Sequence, residues 1–103
     1  MAPTIWIHQT RNRPGWYELP PHEQDRLRAQ WDEADAVQKG AILVGRYTIR
    51  GQSDYSTLEV WELPSPEAAY DFWDNRVRAG YTVWNISANL VGRDVHAAAR
   101  IAS

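Results

Sequence analysis

The chain has 103 residues, of which six are Trp, five are Tyr and none is Cys, and its formal charge at pH 7 is −2. This length suits one domain over residues 1–103, with a hydrophobic core that needs neither disulfides nor Cys-based zinc sites. The weakly acidic balance argues against nucleic acid as the main partner, because phosphate binding needs a basic surface. The longest apolar run, residues 41–45, is too short to span a membrane, and the start of the chain lacks a signal-peptide pattern, so we expect a cytoplasmic protein.

The first part of the chain predicts a strand, a loop and a helix. Residues 4–11 alternate two kinds of side chain, which is typical of a strand. The Pro-Gly pair that follows makes a loop that displays Trp16 and Tyr17. From Pro21 onward apolar residues recur near a 3.6-residue period, which predicts a helix that ends at Gly40.

The second part predicts a hairpin, a helix and a last strand. Residues 41–50 and 55–63 are rich in β-branched and aromatic residues, and the turn-forming segment between them indicates a hairpin. Ser65 precedes Pro and Glu, a helix-start pattern, and that helix runs toward Gly80. Residues 82–92 alternate again and are predicted to form the fourth strand.

This order, β-α-β-β-α-β, predicts a ferredoxin-like α+β fold: a four-stranded antiparallel sheet with both helices on one face and the first and third strands at its centre. We expect the helices to cover Ile5, Ile7, Leu58 and Val60. The opposite face would then expose the aromatic side chains of Trp6, Trp61 and Tyr47, together with Ile49. Because a monomer rarely exposes so large an apolar patch, we expect two copies to pack sheet to sheet as a homodimer.

The layout resembles the dimeric α+β barrel superfamily, in which two such subunits face their sheets together and enclose ligand pockets. The resemblance covers about residues 4–92 and depends most on three fragments, GWYELPPHEQDRL, LEVWELPSPEAAYDFW and AGYTVWN. The superfamily includes cofactor-free monooxygenases, haem-degrading enzymes, cyclases, isomerases, lyases and proteins with no known activity. The fold therefore does not select the reaction.

The candidate pocket residues are those that strand alternation directs away from the helices. They are Trp6, His8, Thr57, Glu59 and Trp61, with Tyr47 and Asn89 at positions whose orientation is harder to assign. An imidazole beside a carboxylate is a suitable general base near neutral pH, so His8 is the candidate for moving a substrate proton and Glu59 for orienting it. In the alternative, His8 is a hydrogen-bonded interface residue and Glu59 pairs with Arg46 or another arginine.

Several aromatic residues have two interpretations. Trp61 and Trp6 would either line a slot for a flat ligand or form the core of the dimer interface. Trp16 and Tyr17 would either cover the pocket mouth as a lid or pack against the first helix. The charged residues of the second helix, Arg76 among them, are predicted to face solvent.

The histidines argue against a haem or metal site. Haem-degrading relatives use a histidine of the second helix as the iron ligand, and this sequence has none there, although His8 could in principle ligate iron from the sheet. His8, His22 and His96 are scattered along the chain, so no spacing suggests a metal centre. We therefore expect no cofactor.

These observations favour a cofactor-independent homodimeric enzyme that binds a hydrophobic aromatic or polyketide-like molecule and catalyses proton-transfer chemistry, such as cyclisation, isomerisation or lyase cleavage. A second possibility is a cofactor-free monooxygenase that acts on a phenolic or enolic substrate. A third is a non-catalytic dimer that binds a ligand or serves as a scaffold.

Overall fold

The computed structural model describes residues 3–95, which form four strands, two long helices and two short ones. In chain order the elements are β1 (Thr4–Asn12), a 3₁₀-helix (Pro14–Glu18), α1 (Pro21–Ala36), β2 (Ile42–Thr48), β3 (Thr57–Leu63), α2 (Pro66–Arg78), α3 (Tyr81–Trp84) and β4 (Asn85–Arg93).

The four strands form one antiparallel sheet in the order β2-β3-β1-β4. The first and third strands are therefore the central pair, as the sequence predicts. Helix α2 packs on one face of this sheet, and α1 packs against α2. The predicted ferredoxin-like fold is confirmed.

The start of the last strand differs from the prediction, because residues 82–84 are helical. Gly80 has a φ of 80°, in the left-handed region that terminates α2, and the short helix α3 begins directly after it. The amide Nδ2 of Asn85 donates a hydrogen bond to the carbonyl oxygen of Tyr81 at 2.9 Å. The chain becomes extended only at Asn85, and α3 directs the Tyr81 side chain into the space beneath α1.

The assignment of the two sheet faces from the sequence is wrong. Trp6 and Trp61 lie opposite each other on neighbouring strands, are 1% and 8% exposed, and face α2 rather than away from it. His8 and Glu59 are also paired on this face, and His8 is fully buried. Alternation separates a strand's side chains into two sets, but it does not say which set the helices cover.

The hydrophobic core lies between the sheet and α2. Phe72 is fully buried, and its ring centroid lies 5.3 Å from that of Trp6 and 4.6 Å from that of Trp61. A second cluster places Trp16 against Trp31 of α1, with 5.4 Å between their ring centroids. The loop after β1 therefore packs against the first helix, which was one of the two alternatives.

The other face of the sheet remains apolar, but its central strands contribute the opposite set of residues from the one predicted, and of the aromatic residues expected there Tyr47 is present. By register, Ile7 pairs with Val60 and Gln9 with Leu58 on this open face, and Tyr47 lies beside Leu58. Tyr47 is 52% exposed there. No element among residues 3–95 covers this face of the sheet.

The packing of α2 predicts a sharp difference between two aromatic residues of that helix. Phe72→Ala should reduce the free energy of unfolding by about 3–5 kcal/mol, because it removes a fully buried ring and leaves a cavity. Tyr70→Ala is the matched control, because Tyr70 is 66% exposed, and it should change stability by less than about 0.5 kcal/mol. Urea unfolding measures both values, and equal losses would contradict the described packing.

Candidate functional site

A cavity of about 290 Å³ lies on the helix side of the sheet, beneath α1. Its walls come from α1, α2, α3 and the strands β2, β3 and β4. The lining residues are Arg28, Trp31, Asp32, Asp35, Arg46, Glu59, Arg76, Tyr81 and Asn85. Its volume is at the lower end of the ~300–1,000 Å³ range that is typical of ligand sites.

Arg76 lies at the centre of this site, because α2 carries its side chain inward between two carboxylates. Its Nε and Nη2 donate to the two carboxylate oxygens of Asp35 at 2.8 and 2.9 Å, which is a bidentate pair. Nη2 also donates to Oε1 of Glu59 at 3.0 Å. Asp35 comes from α1 and Glu59 from β3, so the guanidinium joins both helices to the sheet.

Both members of the Arg76–Glu59 pair are charged. Burial alone would lower the pKa of Arg76, but its hydrogen bonds to Asp35 and the charge of Glu59 outweigh burial and raise it. Burial alone would raise the pKa of Glu59, but Arg76, Trp61 and Arg46 together lower it. The pair is therefore ionised at neutral pH.

His8 is held by two hydrogen bonds deep in the sheet. Its Nδ1 donates to Oδ1 of Asn89 at 2.6 Å, and its Nε2 accepts the hydroxyl proton of Tyr81 at 2.9 Å. The ring is stacked on Trp6, with 4.9 Å between centroids. Burial, assisted by the positive charge of Arg76, lowers the pKa of His8 to about 4. His8 is therefore neutral at pH 7, and of its two hydrogen-bond partners among residues 3–95 only Tyr81 lines the cavity.

Glu59 does not orient His8, although the two residues are directly opposite on β1 and β3. Both imidazole nitrogens already have other partners. The Glu59 carboxylate instead accepts hydrogen bonds from Arg46 at 3.0 Å and from the indole of Trp61 at 2.9 Å, in addition to the one from Arg76. The prediction that Glu59 orients His8 is wrong. The alternative ion pair, between Glu59 and Arg46, is present.

The other predicted pocket residues are dispersed. Trp6 and Trp61 belong to the hydrophobic core. Tyr47 lies on the open face, and Thr57 is half-buried at the start of β3, outside the cavity lining. Trp16 is buried against α1, and Tyr17 beside it is 71% exposed. Of the residues proposed from the sequence, Glu59 alone lines the cavity directly, while His8 and Asn89 lie behind Tyr81.

Sequence reasoning missed Arg76, Asp35 and Tyr81. Arg76 was expected to face solvent, but it is 2% exposed. A signal was available, because Arg76 lies four residues after the core residue Phe72 and therefore on the same helix face. Asp35 likewise follows Trp31 by four residues on α1. Tyr81 gave no usable signal, because its helical turn interrupts a segment that was predicted as a strand.

The described residues do not fit a haem group. Helix α2 carries no histidine, and His8 has no exposed surface and uses both ring nitrogens in hydrogen bonds. Within residues 3–95 no group of three or more His, Asp or Glu side chains could hold a metal ion. His96, the third histidine considered from the sequence, lies outside the described residues. No helix within residues 3–95 has the length and apolar character needed to cross a membrane.

Comparisons with known proteins identify the fold. No protein-family model and no curated protein matches this sequence. A chlorite dismutase variant from Candidatus Nitrospira defluvii is similar with a TM-score of 0.77 and 16% identity, over 89% of this chain and 40% of that one. The cofactor-independent oxygenase SnoaB from Streptomyces nogalater has a TM-score of 0.54 and 12% identity, over 89% of this chain and 92% of its own.

A protein from Arabidopsis thaliana, solved in solution, has a TM-score of 0.61 and 10% identity over 92% of this chain and 90% of its own. The present chain spans about two fifths of the length of the chlorite dismutase that it matches. Identities this low show the fold alone. The structural similarities confirm the fold that the resemblance to the dimeric α+β barrel superfamily implied.

The buried, neutral state of His8 predicts a specific loss of stability in acid. Its pKa is about 4 in the folded protein, against an ordinary value of 6.5, so the unfolded chain binds more protons between these values and stability falls as the pH falls. Lowering the pH from 7 to 5 should therefore destabilise the wild type by about 2 kcal/mol through His8. His8→Gln removes this titration, so the free energy of unfolding of the variant should fall by about 2 kcal/mol less than that of the wild type between pH 7 and pH 5. Urea unfolding at both pH values tests this, and identical losses would contradict it.

Proposed function

We propose that this chain, which has the fold of the dimeric α+β barrel superfamily, is an enzyme that moves protons to and from a small polar substrate without a cofactor. The observation that carries the proposal is the hydrogen bond between the hydroxyl of Tyr81, a residue of the cavity wall, and the buried Nε2 of His8. It supplies a proton path from the cavity to a base that solvent does not reach.

The proton moves in two linked steps. A substrate in the cavity meets the oxygen of Tyr81, not His8. As this oxygen accepts a substrate proton, its own proton passes to Nε2 of His8, whose Nδ1–H remains hydrogen-bonded to Asn89. Return of the proton to a different substrate atom completes an isomerisation. If the deprotonated substrate first attacks another atom of the same molecule, the product is cyclised. If it first expels a leaving group, the product is cleaved.

The environment keeps both relay residues neutral at rest. Burial raises the pKa of Tyr81 and lowers that of His8, so neither carries a charge before substrate binds. Because His8 is a weak base, the relay suits a substrate whose acidity the site itself increases. The arginine side chains in the same cavity can do this by stabilising negative charge on a substrate oxygen.

The cavity walls support a polar substrate rather than the hydrophobic one expected from the sequence. Three arginines and three carboxylates contribute to the lining, while Trp31 and Tyr81 provide aromatic surface. Charged side chains would have to lose water against a purely apolar ligand without any compensating contact. A small ring-containing molecule with at least one polar oxygen matches these walls better.

A second candidate is direct oxygenation without a cofactor. The fold is similar to that of SnoaB, a cofactor-independent oxygenase. Such chemistry needs the same first step, which is removal of a proton from a phenolic or enolic substrate. Oxygen consumption during turnover separates the two activities, because proton transfer alone consumes none.

Tyr81→Phe should abolish most proton transfer, because it removes the hydroxyl that links the cavity to His8. In heavy water, the wild type should catalyse deuterium incorporation next to the carbonyl of beta-tetralone, a ketone with an acidic benzylic C–H. We expect a loss of about a hundredfold or more in Tyr81→Phe and in His8→Gln. Tyr70→Phe, which changes an exposed tyrosine, should retain full activity. Proton NMR measures the exchange.

Two outcomes would contradict this assignment. Equal exchange rates in the wild type and Tyr81→Phe would show that the relay has no role. Binding of small ketones without any exchange would favour the non-catalytic ligand-binding dimer.

The open sheet face supports assembly into a homodimer. Ile7, Leu58 and Val60 lie on its two central strands, and Leu90 on β4 is 60% exposed. Apolar patches of this kind usually mark an interface, and a two-fold axis would place the same patch of a second copy against it. In this arrangement the cavity beneath α1 lies on the opposite side of each sheet from the interface.

Val60→Lys should convert the dimer to a monomer, because it places a charge in the centre of each facing sheet. Sedimentation velocity at micromolar concentration should show dimers for the wild type and for Tyr70→Lys, which changes an exposed residue of α2. A folded wild-type monomer at that concentration would contradict the dimer.

A further inference from the structure

We propose that Nη1 of Arg76 holds the carbonyl oxygen of a neutral, enolisable ligand in the cavity beneath α1. This assignment rests on the proposed function for the reaction that follows binding, and it names the class of substrate on which that function acts. The two relay residues, Tyr81 and His8, accept a proton but do not specify the functional group that the ligand must carry.

The first observation is an unpartnered donor. Arg76 has five N–H donors, and its Nε and Nη2 are hydrogen-bonded to Asp35 and Glu59. Nη1 is buried and has no hydrogen-bond partner among residues 3–95. The side chain is 3% exposed and lines the cavity. A buried donor of this kind normally has a partner, and the cavity that Arg76 lines is the space from which we infer that it comes.

The second observation is that the direction of Nη1 is fixed. The bidentate pair with Asp35 holds the plane of the guanidinium. Its central carbon, Cζ, also lies 5.2 Å from the ring centroid of Phe72 and 5.1 Å from that of Tyr81. A donor held on several sides need not reorganise when a ligand arrives, which makes it an effective site for an oxygen that gains charge during a reaction.

The third observation is the charge balance, which favours a neutral ligand over an anion. Arg28, Arg46 and Arg76 line the cavity together with Asp32, Asp35 and Glu59, so the formal charges of the walls cancel. An anion on Nη1 would lie beside the two carboxylates that already accept from the same guanidinium. A carbonyl oxygen accepts a hydrogen bond without bringing a charge. Unlike a hydroxyl, it needs no acceptor of its own, and the oxygens of both carboxylates already accept hydrogen bonds.

The chemistry of such a ligand agrees with the relay. With the carbonyl oxygen on Nη1, an adjacent C–H can lose its proton to the oxygen of Tyr81, whose own proton passes to Nε2 of His8. The C–H electron pair forms a carbon–carbon double bond, and the carbonyl pair moves to the oxygen. Arg76 stabilises the resulting enolate oxygen, and the positive charge resides on His8.

The test compares three ligands built on one ring system with the wild-type protein: beta-tetralone, the alcohol beta-tetralol and tetralin-beta-carboxylate. Beta-tetralone should bind about tenfold more tightly than either of the others, because it alone presents a neutral carbonyl acceptor to a charged donor. With carbon-13 in its carbonyl group, the resonance should move downfield on binding, as a carbonyl does when it accepts a strong hydrogen bond. NMR titration measures both effects.

Two variants on α2 connect these effects to Arg76. Arg76→Lys retains the charge but loses the fixed fork, and it should remove the preference for the ketone. Arg78→Lys is the matched control, because Arg78 is exposed and pairs with Asp74 on the helix surface, and it should bind like the wild type. If Arg76→Lys does not fold, Arg28→Lys and Arg46→Lys, which change the other two arginines of the cavity, decide the assignment: both should keep the ketone preference and the carbonyl shift, and loss of both effects in either variant would overturn it.

Each unfavourable outcome has a distinct meaning. Tighter binding of the carboxylate would overturn the neutral ligand in favour of an anion. Equal binding of ketone and alcohol, no downfield shift, or no binding by any of the three would show that water alone serves Nη1. If beta-tetralone binds through Arg76 but exchanges no deuterium, the proposed function fails while this inference holds. If deuterium exchange occurs but does not depend on Arg76, the proposed function holds while this inference fails.

Discussion

The interaction on which the site depends is the buried ion pair of Arg76 with Asp35 and Glu59. It joins α1, α2 and β3, three elements that otherwise enclose an apolar interior. An isolated buried charge would be very unfavourable, so the two carboxylates must accompany the guanidinium. Hydrogen bonds to Asp35 and Glu59 use only part of its donors. The requirement for charge compensation therefore produces a polar cavity beneath α1 and leaves Nη1 for whatever enters it.

Both faces of the sheet are apolar, and this divides the molecule into two functional regions. The face with Trp6 and Trp61 is covered by α2 and forms the core. The face with Ile7 and Val60 is open and is available to a second copy. Because the candidate site lies on the covered side, the proposed assembly and the proposed chemistry would use opposite surfaces of the same four strands. A substitution on the open face of the sheet therefore does not directly alter the residues of the candidate site on the covered face.

His8 shows how burial alters the chemistry of a residue. The sequence suggested a histidine that a neighbouring carboxylate makes more basic. In the structure, burial lowers the pKa of His8 to about 4, and its partners are an amide and a phenol. In the proposed reaction, a proton can therefore reach His8 from the cavity by way of the Tyr81 hydroxyl. In the proposed reaction, a weak base that water does not reach requires a site that acidifies the substrate, and the adjacent guanidinium of Arg76 would do so.

Hydrophobic periodicity in the sequence by itself determined the order of the four strands and the two long helices, and with it the central strand pair and the ferredoxin-like fold, because local spacing encodes strands and helices directly. It also determined that the sheet has two apolar faces. Only the tertiary structure decided which face the helices cover, because alternation is the same for both orientations of a strand. The tertiary structure also brought Asp35, Glu59 and Arg76 together from distant parts of the chain and placed Tyr81 on a helical turn. Contacts between such distant residues leave no local pattern, so the site emerged from packing and the fold from spacing.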